Sequence, residues 1–149
     1  MILLNGEIYN HLELRAELDN SSKPRTLAGM AGATLKWRGH SDTETLLAGF
    51  EHWGVAATLR KTVGMFAIVL WDVQQRTLHL ARDRFGEKPL YYGWTGSGAA
   101  SAFVFGSELK SLRAFPGSVN PVCRGALAQY MRFMYVPAPR SIYQDVFKL

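Results

Sequence analysis

Apolar residues change their spacing several times along this chain of 149 residues, and each change marks an element. Met1 to Leu4 are all apolar and stop at the turn dipeptide Asn5-Gly6, the pattern of a short buried strand. Asn10 followed by Glu13 has the spacing of a capping box. Leu14 and Leu18, one turn apart, then predict a helix to about Asp19. Residues 20–36 contain Ser21, Ser22, Pro24, Gly29 and Gly32 and predict an exposed loop. Ser41-Asp42-Thr43-Glu44 is a second capping box, and Leu46, Leu47, Phe50 and Trp53 follow at helical spacing as far as Gly54.

After Val63 the period shortens. Met65 to Trp71 is an almost unbroken apolar run, Asp72 to Arg76 is polar, and Leu78 to Arg82 alternates, so two strands joined by a hairpin are expected. Leu90 to Gly93 and Ala102 to Phe105 predict two more strands. Ser107 to Leu112 reads as a short helix. Arg124 to Met134 reads as a longer one with Leu127, Tyr130, Met131 and Met134 on one stripe, stopped by Pro137 and Pro139. Ile142 to Leu149 alternates imperfectly, as if in mid-strand. Strands linked by hairpins, with helices outside the sheet, imply an α+β fold.

Composition narrows the partners more than the fold. With 48% apolar residues the chain can build the core of one domain. The net charge is +5, but the basic residues are scattered and run no longer than Arg60-Lys61, which argues against a nucleic-acid face. Pro89 to Ser107 carries no charge, but Gly93, Gly96 and Gly98 break it, so it predicts two strands and a turn rather than a membrane span. No basic leader precedes the first apolar residues, and a cytoplasmic protein is the expectation. Cys123 is the only cysteine, so neither a disulfide nor a thiolate metal site is expected. The four histidines place no pair on one helical face, so no metal is expected either.

Three segments could carry chemistry. In Asn5-Gly6-Glu7, the asparagine amide and the glycine N–H could converge on one oxygen as an oxyanion hole, although Asn-Gly is first of all a turn dipeptide. Asp42 lies in the first turn of the Ser41-capped helix, where a carboxylate either steadies the helix dipole or holds a substrate ammonium. Arg82 to Leu90 alternates in charge, which predicts ion pairing within the loop rather than phosphate binding. There is no P-loop and no paired-glycine dinucleotide signature.

The strings NGEIYNH from Asn5, SDTE from Ser41, GMFA from Gly64, ARDRFGEKPLYYG from Ala81, FGSELKSL from Phe105 and YVPAPRSIY from Tyr135 stand in one order over nearly the whole chain. Together they resemble the glutaminase domain of glutamine-hydrolysing asparagine synthetases, a class II glutamine amidotransferase. The resemblance implies an N-terminal-nucleophile hydrolase-like fold, a four-layer sandwich of two antiparallel sheets flanked by helices. It implies that Asn5 and Gly6 form the oxyanion hole, that Glu7 helps to bind glutamine, and that Asp42 holds the glutamine α-amino group. It implies glutamine and a separate ATP-binding synthetase domain as partners, with ATP and magnesium belonging to that domain and no cofactor in this chain. Whether the parent is a homodimer stays open.

In that family the nucleophilic cysteine and an arginine for the glutamine α-carboxylate precede the NGE string, where only Met1 to Leu4 stand here. Cys123 matches no catalytic position. The expectation is therefore a partial glutaminase domain over residues 1–149, without the synthetase domain and unable to hydrolyse glutamine alone. Such a piece would expose Leu3, Phe66, Ile68 and Leu70 and leave open strand edges. The alternatives are a non-catalytic glutamine-binding or protein-interaction module, and a fragment of an amidotransferase for another acceptor.

Overall fold

The computed structural model describes residues 1–21, 37–118 and 120–149. From residue 22 on, the loop expected over 20–36 lies outside the described residues. In chain order the elements are β1 (Ile2–Ile8), α1 (His11–Asn20), α2 (Asp42–Trp53), α3 (Val55–Lys61), β2 (Gly64–Asp72), β3 (Thr77–Arg82), β4 (Tyr91–Thr95), β5 (Ala102–Gly106), α4 (Leu109–Arg113), α5 (Arg124–Phe133) and β6 (Val146–Lys148). The strands form two antiparallel sheets of three, ordered β1-β2-β3 and β5-β4-β6.

Strand side chains alternate between faces, so register fixes which residues meet. Ile2 pairs with Leu70, Leu4 with Ile68, Gly6 with Phe66 and Ile8 with Gly64, which puts one apolar row of β1 beside one of β2. Leu14 of α1, Leu46 and Phe50 of α2, and Val55 and Leu59 of α3 cover that row. On the other face of the first sheet, Ala67 and Val69 pack with Leu90, Leu78, Leu80 and Phe105, and this core joins the two sheets. Beyond the second sheet, Val104 and Val146 pack on Leu112 and Leu109 of α4. The order is helices, sheet, sheet, helix, the α+β sandwich that the sequence implied.

Some expectations change. Asn5-Gly6 is not a turn, because β1 runs through it to Ile8. Gly6 has φ +141°, and a Cβ there would stand 2.0 Å from the Met65 carbonyl oxygen. Gly64 is the reciprocal case, with Glu7 O 2.2 Å from its Cβ position. These glycines let β1 and β2 close, a demand set by a strand some sixty residues away and so invisible in the dipeptide.

Phe66, Ile68 and Leu70 are buried beneath the helices, whereas Leu3 is 51% exposed, so of the four residues expected on an open face only Leu3 is there. The α5 stripe also points outward: Leu127, Tyr130, Met131 and Met134 are exposed, and Ala126 is the buried residue of that helix. The short helix α3 was not foreseen. It starts directly at Gly54, which also ends α2, and no capping side chain announces it.

Candidate functional site

The first site strand is organised by the direction of its backbone groups. Tyr9 N–H donates to Val63 O at 2.8 Å and Trp71 N–H donates to Met1 O at 2.9 Å. In this antiparallel ladder the odd residues of β1 therefore bond to β2, and the even residues turn N–H and C=O toward the open edge. Gly6 and Ile8 both present their N–H groups there. Asp42 Oδ2 accepts the Ile8 N–H at 3.1 Å. Two residues of strand rise, about 7 Å, separate this contact from the Gly6 N–H on the same edge.

Asn5 and Glu7 point from β1 to the face that meets the second sheet, because their partners across the ladder are Ala67 and Met65. There Asn5 Nδ2 donates to Ser107 Oγ at 2.9 Å, joining the two sheets. A primary amide carries two N–H donors, so this bond leaves one. Glu7 is exposed. All four residues implied by the resemblance thus gather around one end of β1. The sequence reading missed Ser107, which sits in the quoted FGSELKSL string but carries no local sign of its partner 102 positions away.

Asp42 is placed by the start of α2. Ser41 Oγ accepts the Thr43 N–H at 3.1 Å, and Asp42 Oδ1 accepts the same N–H at 2.7 Å. Buried Arg15, from α1, fastens that helix end. Its Nε donates to Thr45 Oγ1 at 3.0 Å, Nη1 to Gly39 O at 2.7 Å and Nη2 to Ser41 O at 3.0 Å. Nη2 also meets Glu44 Oε2 at 3.3 Å. Glu44 does not return to its own cap. It accepts the N–H groups of Arg38 and Gly39, at 2.7 and 3.1 Å. The Arg38 N–H is the chief cause that holds the Glu44 carboxyl below its ordinary value, against desolvation that raises it, with Gly39 N–H and the Arg15 charge adding to the lowering.

The charged loop behind β3 is built differently from the expected ion pairing. Asp83 is buried, and its carboxylate accepts four backbone N–H groups: Phe66 at 3.3 Å, Phe85 at 3.1 Å, Glu87 at 2.9 Å and Lys88 at 3.0 Å. Arg82 donates to the carbonyls of Lys88, Gly86 and Leu149. Burial pushes the Asp83 carboxyl up, but the bonds from Glu87, Lys88, Phe66 and Phe85 outweigh it and bring it below its ordinary 3.8. Asp83 and Arg82 thus address the loop backbone and not one another, while Arg84 reaches back to Arg60 O.

Cys123 stands before α5, half-buried, with its N–H on Ile142 O at 2.8 Å. Among the described residues no hydrogen bond links it to Asn5, Gly6, Glu7 or Asp42. No group of three His, Cys, Asp or Glu among the described residues is placed to hold a metal. No helix among them is long and apolar enough to cross a membrane.

Comparison with known proteins gives one consistent result. Residues 1–149 match the family model described as the glutamine amidotransferase domain. A Mycobacterium tuberculosis protein provisionally named asparagine synthetase [glutamine-hydrolyzing] is 39% identical over all 149 residues, which are 21% of its length. Asparagine synthetase [glutamine-hydrolyzing] 1 of Bacillus subtilis is 38% identical over 99% of this chain and 21% of its own. The chain thus spans about a fifth of the length of these curated relatives.

Proposed function

The chain belongs to the glutamine amidotransferase domain family, and we propose that it is the glutaminase part of a glutamine-hydrolysing asparagine synthetase, releasing ammonia for the ATP-dependent amidation of aspartate. The observation that carries this reading is the shared edge of β1, where the Gly6 N–H and the Asp42 carboxylate lie about 7 Å apart along the strand. A glutamine laid along that edge spans the same interval between its α-ammonium and its side-chain carbonyl. Asp42 then holds the ammonium. Gly6 N–H and the remaining Asn5 N–H face the carbonyl oxygen, and Glu7 stands beside the substrate.

In this reading a cysteine thiolate adds to the amide carbon, and the carbonyl π pair moves onto oxygen, where the two donors stabilise it. Collapse to a thioester releases ammonia, which carries away the thiol proton relayed through an α-amino group. Water then cleaves the thioester to glutamate and restores the thiol. In this reading the nucleophile is not Cys123, which matches no catalytic position of the family, and the isolated chain is inactive. ATP and magnesium act in the separate synthetase domain, in the cytoplasm.

The test is ammonia release from glutamine by the 149-residue chain and by the full-length protein. Turnover by the full-length protein alone supports the reading, and turnover by the isolated chain refutes it. In the full-length protein, Asp42→Asn is expected to raise KM for glutamine roughly tenfold or more with kcat little changed, because it removes a charged ground-state contact. Steady-state kinetics checks this. The place of Cys123 at the start of α5, which matches no catalytic position of the family, favours one second reading, a glutamine-binding module without catalysis. Calorimetric binding of glutamine to the isolated chain, together with a full-length protein that releases no ammonia, would select it.

A further inference from the structure

We propose that Ser107 is a positioning residue for glutamine hydrolysis, its hydroxyl fixing the Asn5 amide so that the second N–H stays aimed at the oxyanion. The proposal rests on the reading above. The two donors of that site differ in how they are held. Gly6 N–H belongs to a strand whose neighbouring residues are locked in the ladder with β2, so its direction is set by the backbone. Asn5 offers a side-chain donor on an exposed strand position, free to turn about two torsions unless something holds it. Ser107 Oγ, 2.9 Å from Nδ2, is the hydrogen-bond partner that the structure gives it.

The support is itself rigid. Ser107 directly follows β5, whose last residue, Gly106, pairs with Tyr91 of β4. A Cβ on Gly106 would meet Leu112 Cδ1 at 2.9 Å, so the chain there is pressed against the α4 core. The hydroxyl oxygen is thus fixed on the second sheet while the amide rides on the first. One bond is enough, because the amide has two protons: one is given to Ser107 and the other remains for substrate. The arrangement makes the aim of an oxyanion donor depend on the spacing of the sheets. A hydroxyl that only stapled the sandwich would contribute to stability and not to the transition state.

The experiment uses the full-length protein. Ser107→Ala is expected to lower kcat for glutamine hydrolysis roughly tenfold or more, part of the 10²–10³-fold typical for losing an oxyanion donor, with KM unchanged. Ser107→Thr, which keeps the hydroxyl, is expected to restore most of the rate. The side-chain amide resonances of Asn5 are expected to move toward those of a free amide in Ser107→Ala and to stay in place in Ser107→Thr. A folded Ser107→Ala protein with wild-type kcat overturns the inference, as does a loss of rate that the threonine variant does not repair. If the wild-type protein itself hydrolyses no glutamine, the functional reading fails, and the inference with it. The two failures are therefore told apart by the wild-type assay.

Discussion

Gly6→Ala is expected to cost about 3 kcal/mol or more of stability, through overpacking against backbone together with a strained φ. The added Cβ would stand 2.0 Å from Met65 O and 2.8 Å from Phe66 Cα, both main-chain atoms of β2, so no side chain can swing aside. The strands must part or shift register, and either response moves the Gly6 N–H away from the edge it shares with Asp42. In the full-length protein glutamine turnover is expected to fall by roughly 10²-fold or more. Urea unfolding of the chain and steady-state turnover measure the two effects. Gly117→Ala is the comparison: φ is +77° but nothing lies within 4 Å of the added Cβ, so about 1–2 kcal/mol of backbone strain is expected there and no effect on turnover. Equal losses at the two positions would refute the close-approach argument.

Asp83→Ala is the second large effect, about 3–5 kcal/mol, since it leaves four N–H groups without their acceptor at a buried site. That carboxylate organises the loop between β3 and β4, so the same change is expected to open the bond after Arg84 to trypsin. The wild-type group also sets an acid limit. Its carboxyl titrates below the ordinary 3.8 when folded, so its stabilising contribution is complete above that value and is lost as pH falls through the lower folded value. Glu44 acts in the same direction from its ordinary 4.5. Stability measured by urea unfolding should fall below about pH 4 in the wild type and fall less steeply in Asp83→Asn. Identical slopes would mean that the bonds to Asp83 do not favour its charged form.

Where a feature is carried by neighbours in sequence, it could be read directly. Ser41 caps α2 and Gly54 ends it as the motif suggested, and the Met65–Arg82 hairpin has the expected strands. What could not be read are uses of a residue from far away. Gly6 answers to β2, Asn5 to Ser107, and Asp83 to the N–H groups of its own loop and of Phe66 rather than to the arginines beside it. The apolar stripe of α5 has true helical period, but period gives a face and not what lies against it. The candidate site was legible through long co-linear strings, because its residues lie on one strand and one helix start. Its orienting hydroxyl was not, because it comes from the other sheet.

One of these distant uses bears on the order in which the chain acquires structure. Asn10 was expected to cap α1 locally, yet its side chain makes no cap bond. Its amide donates to Lys61 O and its carbonyl oxygen accepts Val63 N–H, contacts 51 and 53 positions away, at 2.9 Å each. The residue that should launch the first helix is instead committed to the entry of β2. A ten-residue helix without a local cap is a poor nucleus in water. Although α1 precedes β2 in the chain, it is expected to become stable only after β1 and β2 have zipped together. The pairing rate of those two strands, with the long stretch of chain between them, then governs how quickly the whole helical layer forms.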